Sequence, residues 1–547
     1  MMRSSSSSTS GPKEHGPAYA NAHIPDFLAL PFTVLPNGPS DNVADSPVQV
    51  IHCGANVTAE AFRQGRLSIQ QPLLIRDTPE SIGMRVPPPN FTIRDVAERV
   101  GAEYPLHVLD VELQTELEGW TLGDMVEYFE DEERRRWNEG TAYKTTASTG
   151  RRPRRTSAQA VTKKPHVLNQ LSLEVSQTAM GPPFLQSPQF VRDMDWIDVC
   201  WPQTWRRKDI YPRVQYYCLT SAAGSWTDFH VDFGGTSVWY HVLSGAKEFC
   251  LLPPTSTNLR EYQKWLCSKH QEVTFLPDKL PADANIIRIR LRAQETMIIP
   301  SGWIHAVYTP EDSLVLGGNF LHSLAIENQL KAHQIEQASH VTDDMLFPYY
   351  RQLHIGVVDH HYSELLNRIE STIVLKEKEA FLKLLDQVEV WVYQDNGKGK
   401  TRSNGTAGEQ PNVQKMAREV AKKHGFTSFG ALLDDFRRKI SPTDQCAPTR
   451  IRICVNPKEE KSPLALTATS MPAKIVVPPK PKREDAESFV SYEEEWLPSP
   501  AASKSSSLVS KSPSAVASRK RVGTESSGKV NGKRRMFTSR QRLAKKL

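Results

Sequence analysis

Between residues 213 and 321 the chain breaks into eight short segments rich in β-branched and aromatic residues: VQYYCL, TDFHVDF, SVWYHVL, EFCLL, IIRIRL, TMIIP, HAVYT and SLVLGGNF. Turn residues separate them. Many short strands at close spacing predict an antiparallel sandwich or barrel. One segment does something a barrel wall does not need. In TDFHVDF, His230 and Asp232 stand two residues apart, and on a strand such residues share a face.

A buried carboxylate is costly without a partner, and a metal cation suits a carboxylate beside an imidazole. The pair makes two of the three ligands in the 2-His-1-carboxylate set that holds non-haem Fe(II) and leaves positions open. PSGWIHAVYTP (300–310) supplies the second imidazole, His305, after a Pro-Ser-Gly turn at the start of an apolar strand. Strands far apart in sequence become neighbours in a small barrel, with their inward residues meeting inside. An HxD pair alone is common and a lone strand histidine is more often core. The joint pattern carries the weight: HxD, a late His, and Lys247 at the head of KEFCLL, in one β-rich block.

This block is one part of a 547-residue chain with 39% hydrophobic residues and 39 prolines, which fits one large core with disordered ends. Residues 1–45 are rich in Ser, Pro, Gly and Asn and are expected to be disordered. VAERVG ends a short helix opened by Thr92, with Asp95 three residues on and Gly101 as a stop; TLGDMVEYF repeats the pattern from Thr121. The polar, basic run at 138–164 predicts a surface insertion. VLNQLSLEVS (167–176) alternates as a strand. Beyond 322 the spacing turns helical, over 363–392 and 413–425, with a polar linker at 395–411. GKGKT (397–401) falls in that linker and lacks the first glycine of a phosphate loop, since position 394 is Gln394.

Residues 501–547 carry 13 Lys or Arg against one acid, Glu525, leaving 55 basic and 61 acidic side chains elsewhere. A weakly acidic body with a strongly basic tail suits work near nucleic acid or its packaging proteins. SRKR (518–521) and GKRR (532–535) in that tail fit a split nuclear import signal, non-specific contact with DNA phosphates, or both. RRPRR (151–155) reads as surface insertion before DNA contact. Seven scattered cysteines without a CxxC pair fit reduced thiols and argue against a cysteine-rich zinc finger. No run approaches the length of a membrane span, and the N-terminus has no apolar signal region.

TDFHVDFGGTSVWYHVLSGAKEF and IIPSGWIHAVYTPEDSLVLGGNFLHS resemble the JmjC domain of histone lysine demethylases, above all the F-box/JmjC histone demethylation protein 1 family, with PHD/JmjC relatives next. LLIRDTPESIGMRVPPPNFTIRDVAERVG, LNQLSLEVSQT, VRDMDWIDVCWP and PRVQYYCLTS extend the likeness over about 70–325. The resemblance implies a double-stranded β-helix, jelly-roll or cupin-like, with flanking N-terminal helices, a C-terminal helical region and disordered tails. It implies a catalytic domain at 46–325 carrying the 138–164 insertion, a helical region at 326–440 and a low-complexity basic tail at 441–547. It implies Fe(II), the cosubstrate 2-oxoglutarate and O2. His230, Asp232 and His305 match the iron ligands. Lys247 and Thr227 match the contacts to the distal carboxylate of 2-oxoglutarate. Asn169 and Tyr240 match further polar contacts near the cosubstrate. The implied activity is demethylation of dimethylated or monomethylated lysine-36 of histone H3, releasing formaldehyde and succinate, in the nucleus, on nucleosomes and with no membrane. A hydroxylase of another protein and a non-catalytic chromatin scaffold are the alternatives.

Three features depart from the family, the first being the 138–164 insertion. The chain lacks the cysteine pairs of zinc modules, and Trp226 stands where a tyrosine is usual. Trp226, Tyr240 and Tyr308 are candidates to line a methyl-lysine pocket by cation–π contacts, while Trp239 reads better as core.

Overall fold

The computed structural model describes residues 23–36, 46–134 except 114 and 133, 165–367 except 171, 376–394 and 412–441. The 138–164 insertion, the polar linker with GKGKT and the basic tail with its import motifs lie outside the described residues, as does most of the 1–45 segment.

Twelve strands form one branched sheet: β1 (Gln49–Ile51), β2 (Leu73–Ile75), β3 (Val108–Asp110), β4 (Thr115–Leu117), β5 (Leu168–Gln170), β6 (Leu173–Glu174), β7 (Tyr217–Ser221), β8 (Trp226–His230), β9 (Ser237–Leu252), β10 (Ile287–Arg292), β11 (Thr296–Ile299) and β12 (Ile304–Phe320). Four of the short segments of the sequence merge into two long strands. SVWYHVL and EFCLL are one strand, β9, and HAVYT and SLVLGGNF are another, β12. The two pair antiparallel from Ser237–Phe320 to Leu252–Ile304.

Each long strand bends and takes part in two sheets. Before the bend β9 pairs with β11, and after it with β10. The early part of β12 pairs with β8 and the late part with β7. The result is a double-stranded β-helix. Gly245 marks the bend in β9, at φ +76, and a Cβ there would lie 2.1 Å from the Asp312 carbonyl oxygen. Opposite it, register shifts accumulate in β12 between Tyr308 and Val315.

The bend also switches which residues face inward. Val238, Tyr240 and Val242 contribute to the barrel interior, and after Gly245 it is Phe249 and Leu251. Trp239 and Leu243 point the other way, into a second core with Leu73, Ile75, Ile298 and the N-terminal helices.

Among the helices, α1 (His23–Ala29) lies in a stretch expected to be disordered. Residues 23–36 are instead strapped to the barrel. The apolar side chain of Phe27 is fully buried, and the buried Arg288 guanidinium donates to the carbonyls of Leu28 (2.8 Å) and Leu30 (2.6 Å) while pairing with Glu248 at 2.7 Å. Composition across the 45 residues masks this short apolar run. α2 (Ile93–Val100) and α3 (Leu122–Glu130) start at Thr92 and Thr121, each with a capping box closed by Asp95 or Asp124. α4 (Ser256–Leu266), capped by Thr255, interrupts the strand block and the sequence pattern does not announce it.

The C-terminal layer holds α5 (Ile326–Ala338), α6 (Tyr350–Leu366), α7 (Lys378–Gln394), α8 (Val413–Lys423) and α9 (Phe429–Ile440). The helical pattern read over 363–392 is not one helix. α6 ends at Leu366 and α7 begins at Lys378. α6 is buried nearly all round, at Leu353, His354, Ile355, Gly356, Val357 and Val358, so it has no single apolar stripe to mark where it starts. These helices share a core with Trp196, Trp201 and Trp205 of the segment leading into β7. Among the described residues no helix is long and apolar enough to cross a membrane.

Candidate active site

β8 and β12 are hydrogen-bonded neighbours, and their register sets His230 directly across from His305. The two imidazole centroids are 4.2 Å apart. Asp232 is not on the strand. β8 ends at His230, and Asp232 opens the tight turn Phe233–Gly235. That turn brings the carboxylate back, with Asp232 Oδ2 at 3.7 Å from His305 Nε2. The ligating atoms of all three residues lie within 4.8 Å of one another.

Glycine makes the turn possible. Gly234 and Gly235 have φ +62 and +63, and a Cβ on Gly235 would come 2.7 Å from the backbone of Gln329 in α5. Glu336 of α5 accepts the Gly234 N–H at 2.6 Å, and Ser301 Oγ donates to the Gly235 carbonyl at 2.5 Å. The helical layer therefore holds the turn that aims Asp232. Asn319, from the far end of β12, donates to Thr236 Oγ1 at 2.8 Å and to Asp232 Oδ1 at 3.4 Å.

The imidazoles are set to offer lone pairs. Nδ1 of His230 faces the Asp228 carbonyl at 2.8 Å, and Nδ1 of His305 faces the Trp303 carbonyl at 3.1 Å. A carbonyl only accepts, so each Nδ1 carries the proton and each Nε2 is bare. Burial pushes both histidines down to about 4, helped at His230 by the neighbouring His305. Burial pushes the Asp232 carboxyl up. Two neutral imidazoles and a carboxylate short of a counter-charge fit a divalent transition metal, and the donor set suits Fe(II).

A cavity of about 130 Å³ opens onto these three residues. Thr227, Lys247, Asn169 and Tyr240 also line it, so all seven candidate residues come together. Lys247 reaches the cavity from β9. Its strand is not next to β8, because β12 runs between them, and it faces inward only because the Gly245 bend switches the inward face of β9. Its ammonium is buried and donates to Thr309 Oγ1 at 2.8 Å, and burial pushes it down to about 7. Among the described residues no other Lys or Arg lines this cavity. Asn169 accepts from Ser221 Oγ at 2.8 Å, and Tyr240 stands edge-on to Phe249 at 5.2 Å.

Of the cation–π candidates Tyr240 lines the cavity, and Trp239 is core as its sequence setting suggests. Trp226 and Tyr308 do not line the cavity. Trp226 is buried against Phe27 (ring centroids 5.1 Å) and Phe229 (6.3 Å), and Tyr308 also meets Phe27, at 6.0 Å. Sequence reasoning did not single out Thr309, Asn319, Ser221 or Tyr217. Asn319, a polar residue in the otherwise apolar LVLGGNF, was the one with a visible signal.

The family model for the JmjC domain, hydroxylase, matches residues 217–320. The chain is 36% identical over 328 residues to JmjC domain-containing histone demethylation protein 1 of Yarrowia lipolytica, covering 60% of this chain and 57% of that protein. It is 37% identical over 303 residues to lysine-specific demethylase 2A of Xenopus tropicalis, covering 54% of this chain and 24% of that one. It is also 37% identical over 297 residues to histone lysine demethylase PHF8 of Danio rerio, covering 54% and 25%. The chain thus spans from about a quarter to just over half of the length of these relatives. It carries a JmjC domain and is related to the JmjC histone demethylation proteins.

Proposed function

We propose that this JmjC-domain chain is an Fe(II)- and 2-oxoglutarate-dependent demethylase of histone H3, acting on dimethylated and monomethylated lysine-36. The observation that carries the reading is one cavity with a His-Asp-His set and a buried, singly partnered lysine on its wall. The names of the relatives support the substrate class, and the lysine-36 preference rests on the family resemblance alone.

When bound, Fe(II) with O2 and 2-oxoglutarate supplies the oxidation that converts an N-methyl group to formaldehyde while 2-oxoglutarate becomes succinate and CO2. In this reading His230 and His305 would hold the metal through Nε2, and Asp232 would supply the anionic ligand. Asn319 keeps the carboxylate oriented. Lys247 pairs with the far carboxylate of the cosubstrate, and Thr309 holds its ammonium in place. Thr227 donates to the same carboxylate, with Asn169 and Tyr240 completing the polar contacts. Val238, Phe249, Ile299 and Val307 form apolar walls that limit water. Nuclear location and contact with nucleosomal DNA through the basic tail belong to the same proposal.

The test is mass spectrometry of nucleosomes and of an H3 peptide dimethylated at lysine-36, incubated with Fe(II), ascorbate and 2-oxoglutarate. Loss of one CH2 mass per methyl group, seen with wild type and absent with His230→Ala, is expected. Succinate release without methyl loss on either substrate would overturn the demethylase assignment and leave an oxygenase of another protein. Neither product would favour a scaffold.

A further inference from the structure

α6 carries a second cluster of ligand-type side chains. His360, His361 and Glu364 occupy positions i, i+1 and i+4 near its C-terminal end. Residues four apart stack along a helix face, and Glu364 Oε1 lies 3.4 Å from His360 Nε2. The other carboxylate oxygen, Oε2, lies 2.7 Å from His361 Nδ1. The three ligating atoms fall within 4.8 Å of one another. We propose that these three residues form a second metal site, taking a zinc-class divalent cation in a structural role.

The surroundings of His361 favour this over a chance pair of hydrogen bonds. The side chain is about 5% exposed, and its remaining nitrogen, Nε2, meets Ser323 Oγ at 3.0 Å. That hydroxyl already accepts the Trp196 indole N–H at 3.0 Å. It has a second lone pair, so it can take the His361 Nε2–H as well. His361 Nδ1 would then turn its lone pair on the cluster. A ligating histidine whose other N–H is held by a fixed acceptor is the usual arrangement at a metal. His360 and Glu364 are about a third exposed, which leaves an ion a way in and water a place to complete the coordination. The neighbouring Asp359 is already committed to Lys423 and His424, so it is not counted as a ligand.

The donor set decides the class of ion. Two imidazoles and one carboxylate suit Zn(II), and Co(II) or Ni(II) in its place, whereas Ca(II) and Mg(II) prefer an all-oxygen shell. The C-terminal end of α6 also presents the negative end of its backbone dipole. The location explains the role. Ser323 follows directly on β12, Trp196 precedes β7, and Phe381 of α7 meets the His361 ring edge-on at 4.9 Å. All three ligands come from α6, so an ion here would staple the last turns of that helix and fix the His361 ring, whose Nε2 reaches Ser323 beyond the end of β12.

The experiment uses the full chain, stripped with chelator, with zinc binding measured by equilibrium dialysis and metal analysis. Wild type is expected to bind two zinc equivalents, one at each His/carboxylate set. His360→Ala and Glu364→Gln should each bind one, with the second site weakened at least about tenfold. His230→Ala should also lose one equivalent, and His230→Ala with Glu364→Gln should lose both. Added zinc should raise the thermal unfolding midpoint of His230→Ala, and the shift should vanish when Glu364→Gln is added. Glu364→Gln keeps the side chain's shape, so it separates metal loss from misfolding. If His360→Ala and Glu364→Gln leave the zinc count of wild type unchanged, the cluster is a hydrogen-bonded set and no metal site.

Discussion

Replacing Lys247 with methionine tests the central feature of the cavity by an effect on stability. An ordinary lysine titrates near 10.5, and burial brings Lys247 down to about 7. At about 1.4 kcal/mol per tenfold change in proton affinity, that gap corresponds to about 5 kcal/mol of cost for holding the charged amine in the free protein. The sign follows from proton counting. Between pH 7 and 10.5 the unfolded chain keeps the lysine proton and the folded chain sheds it, so this group makes stability rise with pH across that window. Below about pH 7 both states are protonated and the full cost is present. Methionine fills similar volume without the charge, at a loss of about 1 kcal/mol for the Thr309 hydrogen bond. Lys247→Met should therefore be more stable than wild type by up to about 4 kcal/mol at pH 6.5, with the gap closing towards pH 10. Urea titrations of the two proteins at pH 6.5, 8 and 9.5, without metal or 2-oxoglutarate, read this directly. Adding 2-oxoglutarate to the metal-loaded proteins should then stabilise wild type further and leave the variant unmoved. Identical pH slopes for the two proteins would refute the buried-amine argument; equal stabilisation by 2-oxoglutarate would show that its far carboxylate binds elsewhere.

His230→Ala should abolish turnover and retention of iron while costing no more than about 2 kcal/mol of stability, since the imidazole makes one backbone hydrogen bond; undiminished iron content after dialysis would contradict the ligand assignment. Arg288→Ala leaves Glu248 buried with its close partner gone and releases two carbonyls of the N-terminal strap, so a loss of about 3–5 kcal/mol is expected in chemical denaturation, with Glu248→Gln restoring part of it. A loss under about 1 kcal/mol would mean that the strap is held by its apolar contacts alone. Gly318→Ala would place a Cβ 1.8 Å from the Gln215 carbonyl, beside Asn319, and should cost more than about 4 kcal/mol or yield insoluble protein. Normal solubility and melting would show that β12 can shift to accommodate it.

The ligands were legible because their chemistry conflicts with their setting. A histidine and an aspartate two residues apart in an apolar run demand an explanation, and a second histidine in a similar run answers it. The capping boxes at Thr92 and Thr121 were legible because their signals are local. What stayed hidden depends on contacts across the chain. Nothing local shows that SVWYHVL and EFCLL form one strand, or that Gly245 switches its inward face and so turns Lys247 into the cavity. The strap at 23–36 owes its order to Arg288, more than 250 residues away. The start of α6 was invisible because a helix buried on every side has no period to read. Thr309 and Asn319 gain meaning only from the partners the fold brings to them.

One strand, β12, carries His305, Thr309 and Asn319, and residues 305, 307, 315, 317 and 319 all face the barrel interior or its cavity despite the bend. The spacing between the ligand at one end and the residue that orients Asp232 at the other is therefore a matter of counting. A single residue inserted or removed between His305 and Asn319 would turn one end outward, whatever the residue's chemistry. This stretch should tolerate many substitutions and almost no change of length, so lineages that diverge widely here in side chains should still keep the same number of residues.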